Sequence, residues 1–294
     1  MSRKLHKFQT VAEYQAYSAS TEYTTPCVAL IVDTNVIYYD YGNNKPQADL
    51  SDYKGEFQES SVGVDKYGKD AITKINYIPS GVTSLDYAFQ NFSSLEEVTC
   101  ELPSGVTSMY CTFNGCKSIV NVLEIPTGVK DMSSTFKYCS SLVNVPSVIP
   151  NSVTKMSNTF YGCKSLVTAP EMPNSITSMD ATFTSCESLI TAPSVIPDSV
   201  TNMSQTFFGC SSLVTAPNIP SSVTNLEHTF RMCSSLKEAT FLHTTPPTYN
   251  STLSYCSKLE SIYVPDSALE DYRTATGWSQ FASKFKPLSS KPSE

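Results

Sequence analysis

Residues 156–177 read MSNTFYGCKSLVTAPEMPNSIT. The next two stretches, MDATFTSCESLITAPSVIPDSVT at 179–201 and MSQTFFGCSSLVTAPNIPSSVT at 203–224, repeat it column by column. Cys116, Cys139, Cys163, Cys186, Cys210, Cys233 and Cys256 recur every 23 or 24 residues, which marks an internal repeat rather than a disulfide framework. A phenylalanine column runs through Phe89, Phe113, Phe136, Phe160, Phe183, Phe207 and Phe230 and ends at Leu253. A leucine column runs from Ile72 through Leu95, Ile119, Leu142, Leu166, Leu189, Leu213 and Leu236 to Leu259. One such unit cannot bury its apolar side alone, so the copies must stack into a solenoid with a continuous core.

Within a unit, Leu-x-x-Ala/Val predicts a short strand and the following Pro a turn. Ser-Val-Thr predicts a second β-rich piece, and Met-x-x-Thr-Phe-x-x-Cys places Met, Phe and Cys on one face of a helical turn. The spacing from Leu to the next Pro alternates, as in Leu166 to Pro173 against Leu189 to Pro197, so the duplicated unit is a pair of copies. The extra residue in every second copy predicts a bulge or wider turn that leaves the columns in register elsewhere.

LEEVTCELPSGVTSMYCTFNGCKSI and LKEATFLHTTPPTYNSTLSYCSKLESIYVP resemble BspA-like leucine-rich repeats, and the resemblance covers about residues 72 to 265. It implies a β-rich α/β solenoid, a right-handed superhelix with a parallel sheet on one face. Nine strands at ~4.8 Å would make that sheet roughly 40 Å long. It also implies binding rather than catalysis, since relatives of this kind are mostly surface and adhesion proteins.

Three parts follow. Residues 1–70 are expected to form a small α+β attachment unit, 71–265 the solenoid and 266–294 a helical C-terminal cap. In the first, Thr10 and Glu13 form a capping box for a short helix through Val11, Tyr14 and Tyr17. CVALIVD and VIYYDYG around Thr34 and Asn35 have the pattern of a β-hairpin. Residues 42–70, poor in apolar side chains, are expected to be a linker or exposed loop. The run QTVAEYQAY to VIYYDY also resembles a segment at the start of many virion and tail-associated proteins of phages of gut Bacteroidales, and of some proteins in their hosts. In the cap, Asp266 or Ser267 is expected to start a helix with Leu269 and Tyr272 on its apolar side. Gly277 would end it, and Trp278, Phe281 and Phe285 would close the last coil.

The 294-residue chain is 40% hydrophobic and only 16% charged, with a net charge of -7. It offers no basic field for nucleic acid. No apolar run approaches the ~18 residues that span a bilayer, so membrane insertion is not expected. The basic start lacks an apolar stretch and does not read as a signal peptide; a chain complete at this point would be made and folded in a cytoplasm. GVDKYGK at 63–69 fits only the first part of a phosphate loop, because Asp70 stands where a Ser or Thr would hold magnesium. The three histidines, His6, His228 and His243, sit in no nucleophilic pattern, and the cysteine spacing matches no zinc motif. No catalytic residue, cofactor or metal is therefore expected. The cysteine ladder reads as a stacked core column rather than a thiol or metal site.

Two residues after each column leucine lie small polar side chains, and Asn121, Asn144, Thr168, Thr191 and Thr215 are the candidate binding column. Such a column either hydrogen-bonds a sugar or a partner's backbone, or only solvates the sheet. Tyr110, Tyr138, Tyr161 and Phe208 are further candidates for stacking on sugars. The leading expectation is a non-enzymatic phage virion protein, a head or tail fibre or decoration. It would join other virion proteins through residues 1–70, as a homo-oligomer, and present the solenoid to a host-surface glycan or protein. The alternative is a bacterial cell-surface leucine-rich-repeat adhesin.

Overall fold

The computed structural model describes the backbone of residues 5–8, 28–31, 36–39 and 47–48, together with residues 74–75, 78, 82–122 and 124–292. Near the N-terminus four strands, β1 (Leu5–Phe8), β2 (Val28–Ile31), β3 (Val36–Tyr39) and β4 (Gln47–Ala48), form one sheet in that order. β2 and β3 are antiparallel with Ile31 opposite Val36, so the expected hairpin is present. β1 lies parallel to β2, and β4 antiparallel to β3. β4 falls inside residues 42–70, the stretch expected to be a linker or exposed loop, and the rest of that stretch lies outside the described residues. The helix expected from Val11 to Tyr17 lies outside the described residues.

The repeats form a solenoid around one core. The column leucines from Leu95 to Leu236 and the column phenylalanines from Phe89 to Phe230 are buried, as are Met109, Met132, Met156, Met179 and Met203. Successive phenylalanine rings stack with centroids 5.4–5.6 Å apart and planes within 18° of parallel. This repeat-by-repeat contact is what makes each coil depend on its neighbours.

The Met-to-Cys segment is not a helical turn, and this overturns the sequence expectation. Its amides alternate between two partners. In one coil the Thr159, Tyr161 and Cys163 N–H groups donate three residues back, to Met156, Asn158 and Phe160. The Asn158, Phe160 and Gly162 N–H groups donate across to Asp180, Thr182 and Thr184 of the next coil. Such alternation needs left-handed backbone at two places per coil, two residues before and two after the phenylalanine. Asn158 (φ 59°) and Gly162 (φ 74°) hold them here, and Ala181 (φ 49°) and Ser185 (φ 59°) in the next coil. Met156, Phe160 and Cys163 nevertheless share one buried face.

Hydroxyls and thiols complete the ladder. Thr112, Thr135, Thr159, Thr182, Thr206, Thr229 and Thr252 are buried, and each donates its Oγ1 proton to a carbonyl one coil back, as Thr159 does to Met132 at 2.9 Å. Each ladder cysteine donates Sγ–H to the preceding coil's phenylalanine carbonyl at 3.0–3.1 Å. Ser152, Ser175, Ser199 and Ser222 bond across coils in the same way. The hydroxyl-rich composition therefore serves the core's polar accounting as much as the surface.

The parallel sheet is not one run of nine strands. β5 (Lys74–Ile75) pairs with β6 (Glu97–Val98). At the other end β7 (Thr215–Ile219), β8 (Glu238–Phe241), β9 (Ser261–Val264) and β10 (Phe285–Pro287) form a four-stranded parallel sheet. Between them the coils meet at single parallel bridges, among them Asn121 to Asn144 and Thr168 to Thr191. Pro146, Pro170 and Pro193, two residues after Asn144, Thr168 and Thr191, bring no amide to the ladder there, and β7 passes its own Pro217 only with a register shift between Thr215 and Asn218.

The cap starts with a 3-10 turn, Asp266–Ala268, and continues into a short helix, α1 (Leu269–Thr274). Neither Asp266 nor Ser267 caps it; the Asp266 carboxylate instead accepts bonds from the Ser289 amide and hydroxyl. Tyr272, Trp278 and Phe285 are buried, Leu269 and Phe281 are half-buried, and the Trp278 indole donates to the Pro247 carbonyl at 2.6 Å. Gly277 holds φ +80° against Tyr249. Phe285 does more than plug the end, since it opens β10, the last strand of the sheet, where Lys286 and Pro287 protect the edge from further pairing.

Candidate binding face

The residue two positions after each column leucine directly precedes a second inward-turned residue, Val122, Val145, Ala169, Ala192 or Ala216, and so is itself turned to solvent. Asn121, Asn144, Thr168, Thr191 and Thr215 are all exposed. The structure brings them together in pairs rather than as one even column. Asn144 Nδ2 donates to Asn121 Oδ1 at 2.7 Å, and Thr168 bridges Thr191. Thr215 opens β7 and lies opposite Glu238.

The pairing follows the alternation of repeat length. Within a pair the backbones join directly, Val143 N–H to the Val120 carbonyl and Ile190 N–H to the Val167 carbonyl, both at 2.9 Å. Between pairs, among the described residues, no bridge joins Asn144 to Thr168 or Thr191 to Thr215. The coils meet again further along, where Val148 bridges Glu171 and the Glu171 amide bonds the Ser147 carbonyl at 2.8 Å. The extra residue of each long copy is taken up here as a bulge that leaves Val148 and Val195 more than 60% exposed. The seam it opens is a pocket of about 280 Å³ lined by Val143, Asn144, Pro146, Val167, Thr168 and Glu171.

Sequence reasoning missed a neighbouring column. Val120, Val143, Val167, Ile190 and Val214, one residue after each buried leucine, are exposed and form an apolar stripe beside the polar one. The signal was available as a β-branched residue at constant offset. Glu171 was missed as well; its carboxylate accepts from the Ser194 amide and hydroxyl one coil on, the latter at 2.8 Å. The face thus offers amide, hydroxyl and carboxylate groups beside apolar surface, which suits a neutral polar ligand. The loop aromatics are partly occupied with one another. Tyr138 and Tyr161 meet edge to face at 5.3 Å with the Lys137 ammonium over both rings, and Tyr110 meets Tyr87 at 5.1 Å.

The cysteine ladder has the chemistry of a core. Cys116, Cys139, Cys163, Cys186, Cys210 and Cys233 are fully buried, and the described cysteines are free thiols. Burial pushes these six thiols well up, and pushes half-buried Cys256 up to about 12. Neutral thiols of this kind are poor nucleophiles. Among the described residues no cluster of His, Cys, Asp and Glu could hold a metal ion, and no helix is long and apolar enough to cross a membrane.

Coils of 23 or 24 residues, stacked leucine and phenylalanine columns and parallel bridges on one side define a leucine-rich-repeat solenoid. The chain belongs to the BspA type leucine rich repeat family, whose sequence profile matches residues 61–190 and 156–274 with six copies of the repeat. Comparison with curated proteins finds no significant match. Solved structures similar to this chain include a leucine-rich repeat protein from Bacteroides ovatus, at 22% identity and a TM-score of 0.45, over 78% of this chain and 68% of that one. The T. pallidum leucine rich repeat protein matches at 26% identity and a TM-score of 0.46, over 54% of this chain and 71% of that one. A leucine-rich repeat protein from Eubacterium ventriosum matches at 20% identity and a TM-score of 0.37, over 68% of each.

Proposed function

We propose that this is a non-enzymatic adhesion protein that holds a surface glycan or protein on its strand-side face. The observation that carries the reading is the exposed pairing of Asn121, Asn144, Thr168, Thr191 and Thr215 with a parallel stripe of exposed Val and Ile. Stacked coils repeat one contact at fixed spacing, so weak single contacts add along an extended ligand. Replacing Asn144, Thr168, Thr191 and Thr215 together by Ala is expected to abolish adhesion to host cells or immobilised surface glycans while leaving the melting temperature near its original value. Unchanged adhesion would sink the strand-face reading.

The finer reading is a phage virion fibre or decoration protein that docks on other virion proteins through residues 1–70, as a homo-oligomer. Its support is the resemblance of the run from Gln9 to Tyr41 to phage virion and tail-associated proteins. The second reading, a bacterial cell-surface adhesin, draws on the family itself. Peptide mass spectrometry on density-purified phage particles, with immunogold labelling, separates them: stoichiometric signal on particles supports the virion reading, and signal confined to the bacterial surface supports the adhesin.

A further inference from the structure

The last two coils and the cap border a second pocket of about 380 Å³, open to solvent and made of residues apart from the strand face. Arg231, Ser254, Tyr255, Ser257, Gln280 and Phe281 line it. The Arg231 guanidinium lies over the Tyr255 ring, 5.0 Å from its centroid, and Tyr255 is 67% exposed. Among the described residues no carboxylate comes within ion-pair distance of Arg231, and no side chain or carbonyl takes its side-chain N–H donors. In a chain with a net charge of -7, this is a guanidinium set over an aromatic ring with no protein acceptor on its N–H donors among the described residues. Such a fork matches a carboxylate in a bidentate geometry that an ammonium cannot reproduce.

The other walls narrow the ligand. Ser257 Oγ donates to the Ser234 carbonyl at 3.3 Å, and Gln280 Nε2 donates to the Gly277 carbonyl. The Ser257 proton is thus engaged within the protein, which leaves its oxygen as an acceptor, while Gln280 offers Oε1 as an acceptor and the second N–H of its amide as a donor. Ser254 adds a hydroxyl that meets the Tyr249 hydroxyl at 3.3 Å. Tyr255 and Phe281 supply apolar surface. A ligand that fits carries a carboxylate, hydroxyl donors and a flat C–H face. An acidic peptide side chain has the first and lacks the others.

We propose that this pocket binds an acidic sugar unit, a hexuronate, with its carboxylate on Arg231, its hydroxyls on Ser257 and Gln280, and its C–H face against Tyr255 and Phe281. The site is independent of the strand face, so the two readings stand or fall separately. The test is saturation-transfer NMR and calorimetric titration of the full chain with methyl glucuronide, methyl glucoside and N-acetylglutamate. Glucuronide is expected to bind about tenfold or more tighter than either of the others. Arg231→Gln is expected to bring glucuronide down to the level of glucoside, and Phe281→Ala to weaken both sugars. The fourfold strand-face variant is expected to bind glucuronide unchanged. Equal binding of glucuronide and glucoside, N-acetylglutamate binding as tightly as glucuronide, or undiminished binding by Arg231→Gln at an unchanged melting temperature would each overturn the proposal. No detectable glucuronide binding at about 10 mM would do the same.

Discussion

Raising the pH should unfold this solenoid earlier than an ordinary domain, and the cause is the cysteine ladder. Cys116, Cys139, Cys163, Cys186, Cys210 and Cys233 are buried and held as neutral thiols, with folded pKa values far above the usual value. In the unfolded chain each titrates near ~8.5. Above that pH the unfolded state has released protons that the folded state still binds, so stability is fully present below about pH 8.5 and falls as pH rises toward the folded values. At pH ~9.5 each thiol has cost about 1.4 kcal/mol, and the six together roughly 8 kcal/mol if the coils open as one unit. That equals much of the ~5–15 kcal/mol that holds a typical domain together. The assay is circular-dichroism unfolding in urea from pH 7 to about 10 under reducing conditions, on the original chain and on a variant with Cys139, Cys163 and Cys186 changed to Ala. At neutral pH the variant is expected to be weaker, since it loses three S–H···O bonds and three core sulfurs. By pH ~9.5 it should regain about 4 kcal/mol relative to the original. Buried Tyr272 acts in the same direction but only above the tyrosine range near pH ~10, so the window separates the two. Flat stability up to pH ~9.5, or an equal alkaline loss in both chains, would refute the ladder's role.

Other perturbations test other layers of the fold. Gly209→Ala, at φ +73° with its new Cβ no nearer than 3.6 Å to Ser185, should cost about 1–2 kcal/mol from backbone strain alone. Gly105→Ala, outside the left-handed region, should be neutral or stabilise by about 0.4–1 kcal/mol; urea midpoints of the opposite order would contradict the alternating backbone. Thr159→Val removes a hydroxyl that bonds the Met132 and Met156 carbonyls and should cost about 1–2 kcal/mol. Phe160→Ala should cost about 3–5 kcal/mol, and a threonine effect as large as the phenylalanine one would mean the ladder does more than satisfy carbonyls. His243 Nε2 meets the Val223 carbonyl at 2.7 Å, and burial lowers its pKa. Its contribution is present above pH ~6.5 and lost as pH falls below it, which His243→Gln should flatten in an acid titration of stability.

The columns were legible because stacking forces one chemistry per position. Leu, Phe and Cys recur every 23 or 24 residues and prove to be the buried stacks, and the outward residue two places after each leucine follows from alternation with the inward residue after it, as Thr168 does with Ala169. The backbone of the Met-to-Cys segment was not legible by the same logic. Met156, Phe160 and Cys163 are spaced i, i+4, i+7, the pattern of an amphipathic helix, and the burial they predict is the burial observed. What separates the alternating ribbon from a helix is the handedness at Asn158 and Gly162, to which apolar periodicity is blind. The trace left in the sequence is Gly115, Gly162 and Gly209, each two residues after a column phenylalanine. Tyr138, Ser185, Met232 and Tyr255 fill that slot in other coils, because two rows of inter-coil bonds hold the strained backbone in place.

The break of the sheet into pairs was half-visible, and it links the duplication to the proposed function. The alternating spacing announced a pair of copies, but a bulge read from length alone does not say which junction opens. The structure gives the short-to-long junction the direct bond, as from Val143 to Val120. The long-to-short junction receives the displaced one, at Val148 and Glu171. The open seam is therefore a product of the extra residue. A chain that grows by whole pairs adds one further seam, one further Val stripe segment and one further pair of polar side chains each time, about 10 Å along the stack. If every copy had equal length, the junctions would be equivalent, and the Val143, Asn144 and Thr168 pocket would have no reason to recur with the pair. Deleting Val148 should thus close the seam and cost adhesion while leaving the leucine, phenylalanine and cysteine columns stacked.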